Sequence, residues 1–296
     1  MAPQVVALGQ IARDLVLRVP EVPGSGGTAT VRGRWEVLGG KGANQAVGLA
    51  QLGAEVALVG VVGDDRTGHD LLAQARADGI DVTHVVRRTG LATALIVDLV
   101  DDTGEWRHLE DIPDAALLGV DDVLAASTLL AEAEWVLVRL QQPFAATLAA
   151  ARLASTQGAH VVLDGAPSVP GPIGDLLSCA EVVRADAREA ERLAGRALGD
   201  VADTSCAARE LLRRGPSLVV LEAAGKGNVV ATPGGSEFLP HASVDVVDST
   251  GAGDALVAAM TSALMRGVDP HEAAHLAVAA SAATTEHAGG RPRLNG

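Results

Sequence analysis

The run Asp248-Ser249-Thr250-Gly251-Ala252-Gly253-Asp254 is the most informative stretch of the chain, and the apolar run Ala255–Met265 follows it directly. Small residues let successive backbone N–H groups point into one concavity, and a helix beginning there adds the positive end of its dipole. We therefore predict an anion-binding turn whose donors are the amides of Gly251–Gly253. The carboxylate of Asp254, in the first helical turn, would face an incoming hydroxyl group as a general base.

A simpler interpretation of this run is a glycine-rich turn in which Asp254 only caps the helix. Two other phosphate-binding loops are disfavoured. The complete Gly-x-Gly-x-x-Gly spacing of a dinucleotide-binding fold is absent, and the Lys-Ser or Lys-Thr pair of a P-loop does not follow the glycines.

A second glycine cluster, Gly39-Gly40-Lys41-Gly42-Ala43-Asn44-Gln45-Ala46, precedes a helical pattern. Consecutive glycines let a ligand approach the backbone, and Asn44 offers both a donor and an acceptor to a hydroxyl group. Polyol binding fits this chemistry, and so does a tight connection into a helix. Asp14 lies inside the apolar run Leu8–Val19, where it is either a carboxylate for sugar hydroxyls or a strand-edge charge that discourages aggregation.

Apolar runs typical of buried strands alternate with helical patterns along the chain. The predicted strands are Val5–Leu8, Val56–Val62, Trp135–Leu140, His160–Leu163, Glu181–Val183 and Leu218–Leu221. The predicted helices are Ala43–Leu52, Thr67–Ala77, Pro143–Thr156 and Thr204–Arg213, with Pro143 in a first turn and Asp203 as an N-cap. This alternation predicts an α/β fold with a mostly parallel central sheet flanked by helices.

Two segments break the alternation, and their alternating apolar and polar side chains predict half-exposed antiparallel strands. They are Ala12–Val19 with Ala29–Val37, and Ala92–Val100 with Glu105–Leu109. We expect a small β-sheet lid of residues 12–37 and 92–109, placed on a core of residues 1–11, 38–91 and 110–296. Exposed lid strands often pair between subunits, which suggests a homodimer through the lid.

Composition excludes several classes of partner. The net charge of −14 opposes binding to nucleic acid, because clustered Lys and Arg supply most of that affinity. No apolar run reaches the roughly 18 residues of a membrane span, and Met1–Gly9 lacks the basic start of a signal peptide. Cys179 and Cys206 have neither metal-ligand spacing nor a framework of paired bridges, which suits a reducing compartment. We expect a cytoplasmic protein.

The two glycine clusters resemble the two signature regions of the ribokinase-like (PfkB) family of carbohydrate kinases, over essentially the whole chain. The first region is Gly39–Val47 with Gly60–Asp64, in a form close to that of ribokinases, and the second is Asp248–Asp254. The resemblance implies a ribokinase-like fold with a β-lid and Mg²⁺-dependent use of ATP. It also implies in-line attack by a substrate hydroxyl group, with Asp254 as the base.

The resemblance assigns further residues to the site. The sugar site would consist of Asp14, Gly40, Lys41, Asn44 and Gln141. The nucleotide site would consist of Asp186, Glu222, Gly225, Lys226 and Gly227. The run Asp186-Ala187-Arg188-Glu189 resembles the family's Asn-x-x-Glu motif, so that Glu189 would organise Mg²⁺ through water.

Some positions depart from the family pattern. Gln141 replaces the Glu of ribokinases, and Ala12 replaces their usual Asn. Ribose is therefore a hypothesis, beside a nucleoside or sugar-acid kinase of the same fold and a catalytically silent regulator that binds sugar or nucleotide. Asp248 would offer its backbone to a K⁺ site, but the tail Glu286–Pro292 is bulky and charged. Because Arg291 could supply its own charge there, we predict weak or absent activation by K⁺.

Overall fold

The chain alternates strands and helices in a computed structural model that describes residues 3–103, 106–169, 171–242, 244–286 and 290–294. The strands are β1 Val5–Leu8, β2 Ala12–Arg18, β3 Gly33–Gly39, β4 Val56–Val59, β5 Val61–Gly63, β6 Val86–Arg88, β7 Leu95–Val100, β8 Trp106–Asp111, β9 Trp135–Arg139, β10 His160–Asp164, β11 Val182–Ala185, β12 Leu218–Glu222, β13 Gly227–Thr232 and β14 Gly235–Pro240. The helices are α1 Lys41–Gln51, α2 Arg66–Ala77, α3 Val120–Ala125, α4 Ser127–Glu132, α5 Phe144–Thr156, α6 Ile173–Leu177, α7 Ala187–Ala194, α8 Val201–Leu212, α9 Ala252–Met265 and α10 Pro270–Thr285.

The central sheet has eight strands in the order β14-β13-β12-β11-β10-β9-β1-β4. The strands from β12 to β4 pair in parallel, and β13 and β14 add an antiparallel hairpin at one edge. Every side chain of β1 is buried, because Val6 and Leu8 pack into one apolar layer and Val5 and Ala7 into the layer on the other face. The predicted mostly parallel sheet is confirmed.

Parallel pairing brings the carboxyl ends of the strands to one edge, where polar side chains collect. In the register of this sheet, Asp164 at the end of β10 is paired with Arg139 of β9 and with Arg184 of β11. The first glycine cluster reaches the same region through α1. This edge positions the candidate site.

A second sheet of four strands has the order β3-β2-β7-β8 and arises from the two segments expected to form a lid. Its two hairpins are antiparallel as expected, but β2 and β7 pair in parallel. The reason is that both strands leave the core at the same edge and run outward in the same direction. The strands β3 and β8 end at Gly39 and Asp111, slightly beyond the expected ranges.

Several predicted element boundaries are wrong. The strand expected over Val56–Val62 divides at Gly60, where a Cβ atom would lie 2.6 Å from a backbone carbonyl oxygen, and β5 then pairs with β6. Asp200, not Asp203, is the N-cap of α8, and its side chain accepts a hydrogen bond from the Asp203 amide at 2.8 Å. Pro143 precedes α5 as its N-cap residue. Within the described ranges, no helix is long and apolar enough to cross a bilayer.

Candidate active site

The carboxylate of Asp254 lies at the meeting point of the two glycine clusters. It projects from the first turn of α9 and is buried. The Asn44 Nδ2 atom donates to its Oδ2 atom at 3.2 Å, and the Gln45 Nε2 atom donates to its Oδ1 atom at 3.1 Å. Burial is the main cause that raises the pKa of Asp254, with the Lys41 ammonium acting in the opposite direction. A carboxylate with a raised pKa is a stronger proton acceptor.

The turn that precedes α9 leaves two amides open. Gly251 adopts a left-handed conformation with φ of 77°, and a Cβ atom there would lie 1.9 Å from the Gly290 carbonyl oxygen. The Ala252 amide already donates to the Ser249 carbonyl at 3.3 Å. Among the described residues, the amides of Gly251 and Gly253 have no acceptor. The expected set of three donors is therefore reduced to these two.

Asp14 lies on β2, facing the amino-terminal end of α1. Its carboxylate is only 3% exposed and occupies the space beside Gly39, where a Cβ atom would lie 1.9 Å from the Asp14 Cγ atom. Burial, followed by the charge of Asp98, raises the pKa of Asp14 to about 7. The Asp14 Oδ1 atom has no hydrogen-bond partner in the described parts of the chain.

The remaining residues predicted for the sugar site differ in position. Gly40 is the N-cap of α1 with φ of 84°, and Lys41 places its Nζ atom 4.0 Å from the Glu189 Oε1 atom. Gln141 follows β9 and is partly exposed, without a hydrogen bond to the other predicted site residues. The next residue, Gln142, accepts a hydrogen bond from the Leu118 amide at 2.8 Å and supports the loop. The assignment of Gln141 to the sugar site therefore stays a prediction.

Asp186 and Glu189 form a capping box at the start of α7. The Glu189 amide donates to the Asp186 Oδ1 atom at 2.8 Å, and the Asp186 amide donates to the Glu189 Oε2 atom at 3.0 Å. The other oxygen, Oε1, accepts from the Arg139 guanidinium. Because both oxygens of Glu189 already accept hydrogen bonds, this side chain fits a contact to a metal ion through water. No cluster of three metal-ligating side chains occurs among the residues that the structure describes.

A buried ion cluster beside Asp254 was missed by the sequence reasoning. Arg139 is 0% exposed and donates from Nη1 to the Asp164 Oδ2 atom at 2.6 Å. Arg184 donates from Nη1 to the Asp164 Oδ1 atom at 3.2 Å. We call Arg139, Asp164, Arg184 and Glu189 the ion cluster.

The ion cluster is joined to the Asp254 carboxylate through one side chain. The Gln45 Nε2 atom donates at 2.6 Å to Asp164 as well as to Asp254. Arg184 also reaches the turn that precedes α9, since a Cβ atom on Gly253 would lie 2.7 Å from its Nη2 atom. The cluster had a signal in the sequence: Arg139, Asp164 and Arg184 are charged residues in otherwise apolar strands.

The loop predicted to contact the nucleotide connects β12 to β13. It runs beyond the carboxyl end of β12, and Gly225 adopts φ of 69°. Ala224 has φ of 49°, a conformation that residues with a Cβ atom rarely adopt. The Lys226 amide donates to the Ala223 carbonyl at 2.9 Å, and Glu222 lies 3.9 Å from His241. Glu222, Gly225, Lys226 and Gly227 thus share the edge of the ion cluster, and their role stays a prediction.

The expected role of Arg291 at a K⁺ site is wrong. Its Nη2 atom lies 2.5 Å from the Asp78 Oδ1 atom, so the guanidinium holds the tail against the end of α2. Asp248 is buried, and its Oδ1 atom accepts a hydrogen bond from the Thr250 amide at 2.8 Å. Residues 287–289 of the tail lie outside the described residues.

Comparison with known proteins identifies the family. The sequence matches the model of the pfkB family carbohydrate kinases over residues 2–295, and the chain belongs to this family. A ribokinase of Haemophilus influenzae is 29% identical over 99% of this chain and 96% of that protein. An ATP-dependent ribose-1-phosphate kinase of Halopiger xanaduensis is 31% identical over 97% of this chain and 94% of that protein.

Solved structures support the same assignment. A ribokinase of Thermotoga maritima aligns with a TM-score of 0.83 and 27% identity, covering 98% of this chain and 95% of that one. The ribokinase of Arabidopsis thaliana in complex with ribose and ATP aligns with a TM-score of 0.80 and 25% identity, covering 98% and 94%. The ribokinase-like fold and the sugar-kinase class predicted from the sequence are confirmed.

Proposed function

We propose that this ATP-dependent carbohydrate kinase transfers the γ-phosphoryl group of ATP to a hydroxyl group of a small unphosphorylated sugar, with Asp254 as the general base. The observation that carries the proposal is the buried Asp254 carboxylate, held by Asn44 and Gln45 beside two open amides. A base and an anion-binding turn within one helical turn are what in-line phosphoryl transfer requires of the protein.

The transfer moves one proton to Asp254 and exchanges one P–O bond for another. The acceptor hydroxyl gives its proton to Asp254 while its oxygen forms a bond to the γ-phosphorus atom. The bond between that phosphorus and the β–γ bridging oxygen breaks, and ADP leaves. The open amides of Gly251 and Gly253 and the positive end of α9 stabilise the charge on the transferring group. Lys41 balances the charge of Asp254 from the other side.

Magnesium fits the carboxylates at the start of α7. Asp186 and Glu189 would hold the ion through water, because the hydrogen bonds of Glu189 leave its oxygens turned towards protein donors. When bound with ATP, the ion neutralises phosphate charge. The Arg139 guanidinium holds the buried Glu189 carboxylate in place and balances its negative charge. Activation by K⁺ is still expected to be weak or absent, because the tail Glu286–Pro292 is bulky and charged even with Arg291 engaged by Asp78.

The acceptor is proposed from the relatives and from the charge of the site. The relatives named above include ribokinases and a ribose-1-phosphate kinase. Ribose is the first acceptor to test, because Asp14 places a buried carboxylate with an open oxygen at the predicted sugar site. The same carboxylate would repel an acceptor that already carries a phosphate group.

The test is a coupled ADP-release assay over pentoses, hexoses, sugar acids, sugar phosphates and nucleosides, with and without K⁺. We expect turnover with a neutral sugar, and Asp254→Asn should lower kcat by about 100-fold to 10,000-fold, since a general base acts in the transition state. ATP binding, measured by calorimetry, should change little. Asp245→Asn removes an exposed carboxylate ahead of the turn and serves as the matched control. Near-normal turnover by Asp254→Asn would contradict the mechanism.

A further inference from the structure

One face of the four-stranded sheet carries a row of ionisable side chains. In the strand register, Asp98 of β7 is opposite Val16 of β2 and His108 of β8, and Ile96 is opposite Asp14 and Glu110. Residues that are opposite each other in a sheet project from the same face. Asp14, Asp98, His108 and Glu110 are therefore neighbours on one surface, which we call the acidic lid face.

The acidic lid face is turned towards the catalytic end of the molecule. The Asp14 carboxylate packs on Gly39, just before the start of α1. The hydrogen bond from His108 is the main cause that lowers the pKa of Glu110, and the Lys41 ammonium adds to it. The same ammonium opposes the rise that burial causes in the pKa of Asp254. The acidic lid face therefore adjoins the region that holds Asp254.

Two carboxylate oxygens on this face are buried without a partner. Asp98 is 1% exposed, and one of its oxygens lies 2.6 Å from the His108 Nδ1 atom. Its Oδ2 atom and the Asp14 Oδ1 atom have no hydrogen-bond partner among the described residues. A buried acceptor of this kind is costly unless a donor reaches it. Two such oxygens on neighbouring strands favour a ligand that brings hydrogen-bond donors.

The cations near these oxygens are already engaged. His108 lies between Asp98 and Glu110, at 2.6 Å and 3.0 Å, and this contact raises the pKa of His108 to about 10. Lys41 is placed towards Glu189. A carboxylate or phosphate group on the acceptor would meet Asp14 and Asp98 without a free counter-charge from these two residues, and such like-charge contacts are strongly unfavourable.

We infer that Asp98 binds the acceptor together with Asp14, and that the pair selects a neutral polyhydroxylated sugar over an acceptor that carries a carboxylate or phosphate group. The inference rests on the proposed function and adds a residue that determines specificity. The hydroxyl groups of the sugar donate to the two open oxygens, at the end of the acceptor away from the reacting hydroxyl. Asp98 therefore acts on acceptor binding and not on the transfer step.

The test compares the parent enzyme with Asp98→Asn and Asp98→Ala on ribose, ribonic acid and ribose 1-phosphate. Loss of a hydrogen bond to a charged group should raise the KM for the neutral sugar about tenfold in Asp98→Ala, with kcat changing less than about threefold. Asp98→Asn should reduce the preference for ribose over ribonic acid, as a ratio of kcat/KM, by about tenfold or more. Thermal unfolding and ATP binding show whether each variant is folded.

Asp102→Asn removes an exposed carboxylate from the turn between β7 and β8 and should leave acceptor kinetics unchanged. An unchanged KM and acceptor preference in both Asp98 variants, or a parent enzyme that prefers ribose 1-phosphate, overturns the inference. Calorimetric titration with each acceptor separates this result from failure of the proposed function. If the parent binds ribose without phosphorylating it and Asp98→Ala loses that binding, the kinase proposal fails and the role of Asp98 stands.

Discussion

Replacing Arg139 with methionine tests whether the ion cluster is a structural support for the Asp254 carboxylate, the proposed general base. The guanidinium of Arg139 is fully buried and joins Asp164 to Glu189. Methionine fills a similar volume but supplies no charge and no donor. Both carboxylates then stay buried without their shared partner. Asp164, which accepts a hydrogen bond from Gln45, loses one of the contacts that hold it in place.

The magnitude follows from the burial of the pair. Removing one partner of a buried ion pair costs about 3–5 kcal/mol, because the remaining charge is left uncompensated. With about 2 °C of melting temperature per kcal/mol for a chain of this size, Arg139→Met should melt roughly 6–10 °C below the parent. Since Gln45 orients Asp254, kcat should fall as well, while the KM for the sugar changes less.

The measurement is thermal unfolding followed by circular dichroism, paired with steady-state kinetics below the melting temperature of the variant. Arg66→Met is the matched control, because Arg66 forms an exposed ion pair with Asp70 within α2. Such a pair contributes about 0.5 kcal/mol or less, so the control should melt within about 1 °C of the parent. Equal melting temperatures for the two variants would refute the reasoning about burial.

Three further outcomes are expected. Gly251→Ala should abolish turnover but retain sugar binding, because the new Cβ atom would lie 1.9 Å from the Gly290 carbonyl oxygen and distort the turn before α9. A normal kcat would show that this turn does not bind the transferring phosphoryl group. Because the pKa of Asp14 rises from 3.8 to about 7 on folding, stability falls as the pH rises from about 4 to 7. Asp14→Asn should therefore raise the melting temperature more at pH 8 than at pH 5, while the KM for the sugar increases; equal gains at both pH values would contradict this pKa. Exchange of Na⁺ for K⁺ should leave turnover nearly constant, and a several-fold rise would reverse that prediction.

The main sheet could be predicted from the sequence, and so could the two glycine clusters that meet at the candidate site. Apolar runs such as Leu218–Leu221 mark buried parallel strands, and the glycine clusters mark the places where backbone approaches a ligand. The resemblance assigned Asn44 and Asp254 to one site, and the structure brings the two side chains within hydrogen-bond distance.

The ion cluster could not be predicted with the same rules, since hydrophobic periodicity treats a charge in an apolar strand as an exception. The pairing of Arg139 with Asp164 follows only from the strand register, which places the two residues side by side. The parallel pairing of β2 with β7 depends likewise on where the chain leaves the core. Gln141 was assigned by resemblance alone, and a local motif does not fix the direction of a partly exposed side chain.

The packing of α1 against α9 has a consequence for how the protein is made. A Cβ atom on Gly48 would lie 2.7 Å from the Ala258 Cβ atom, so the two helices are in close contact. Asn44 and Asp254, which this contact brings together, are 210 residues apart in the chain. A ribosome must therefore release most of the polypeptide before α1 can bury the face that packs on α9, and contacts of such long range form late. During translation the nascent amino-terminal half therefore exposes an apolar helix surface, which can be bound by chaperones or can lead to aggregation.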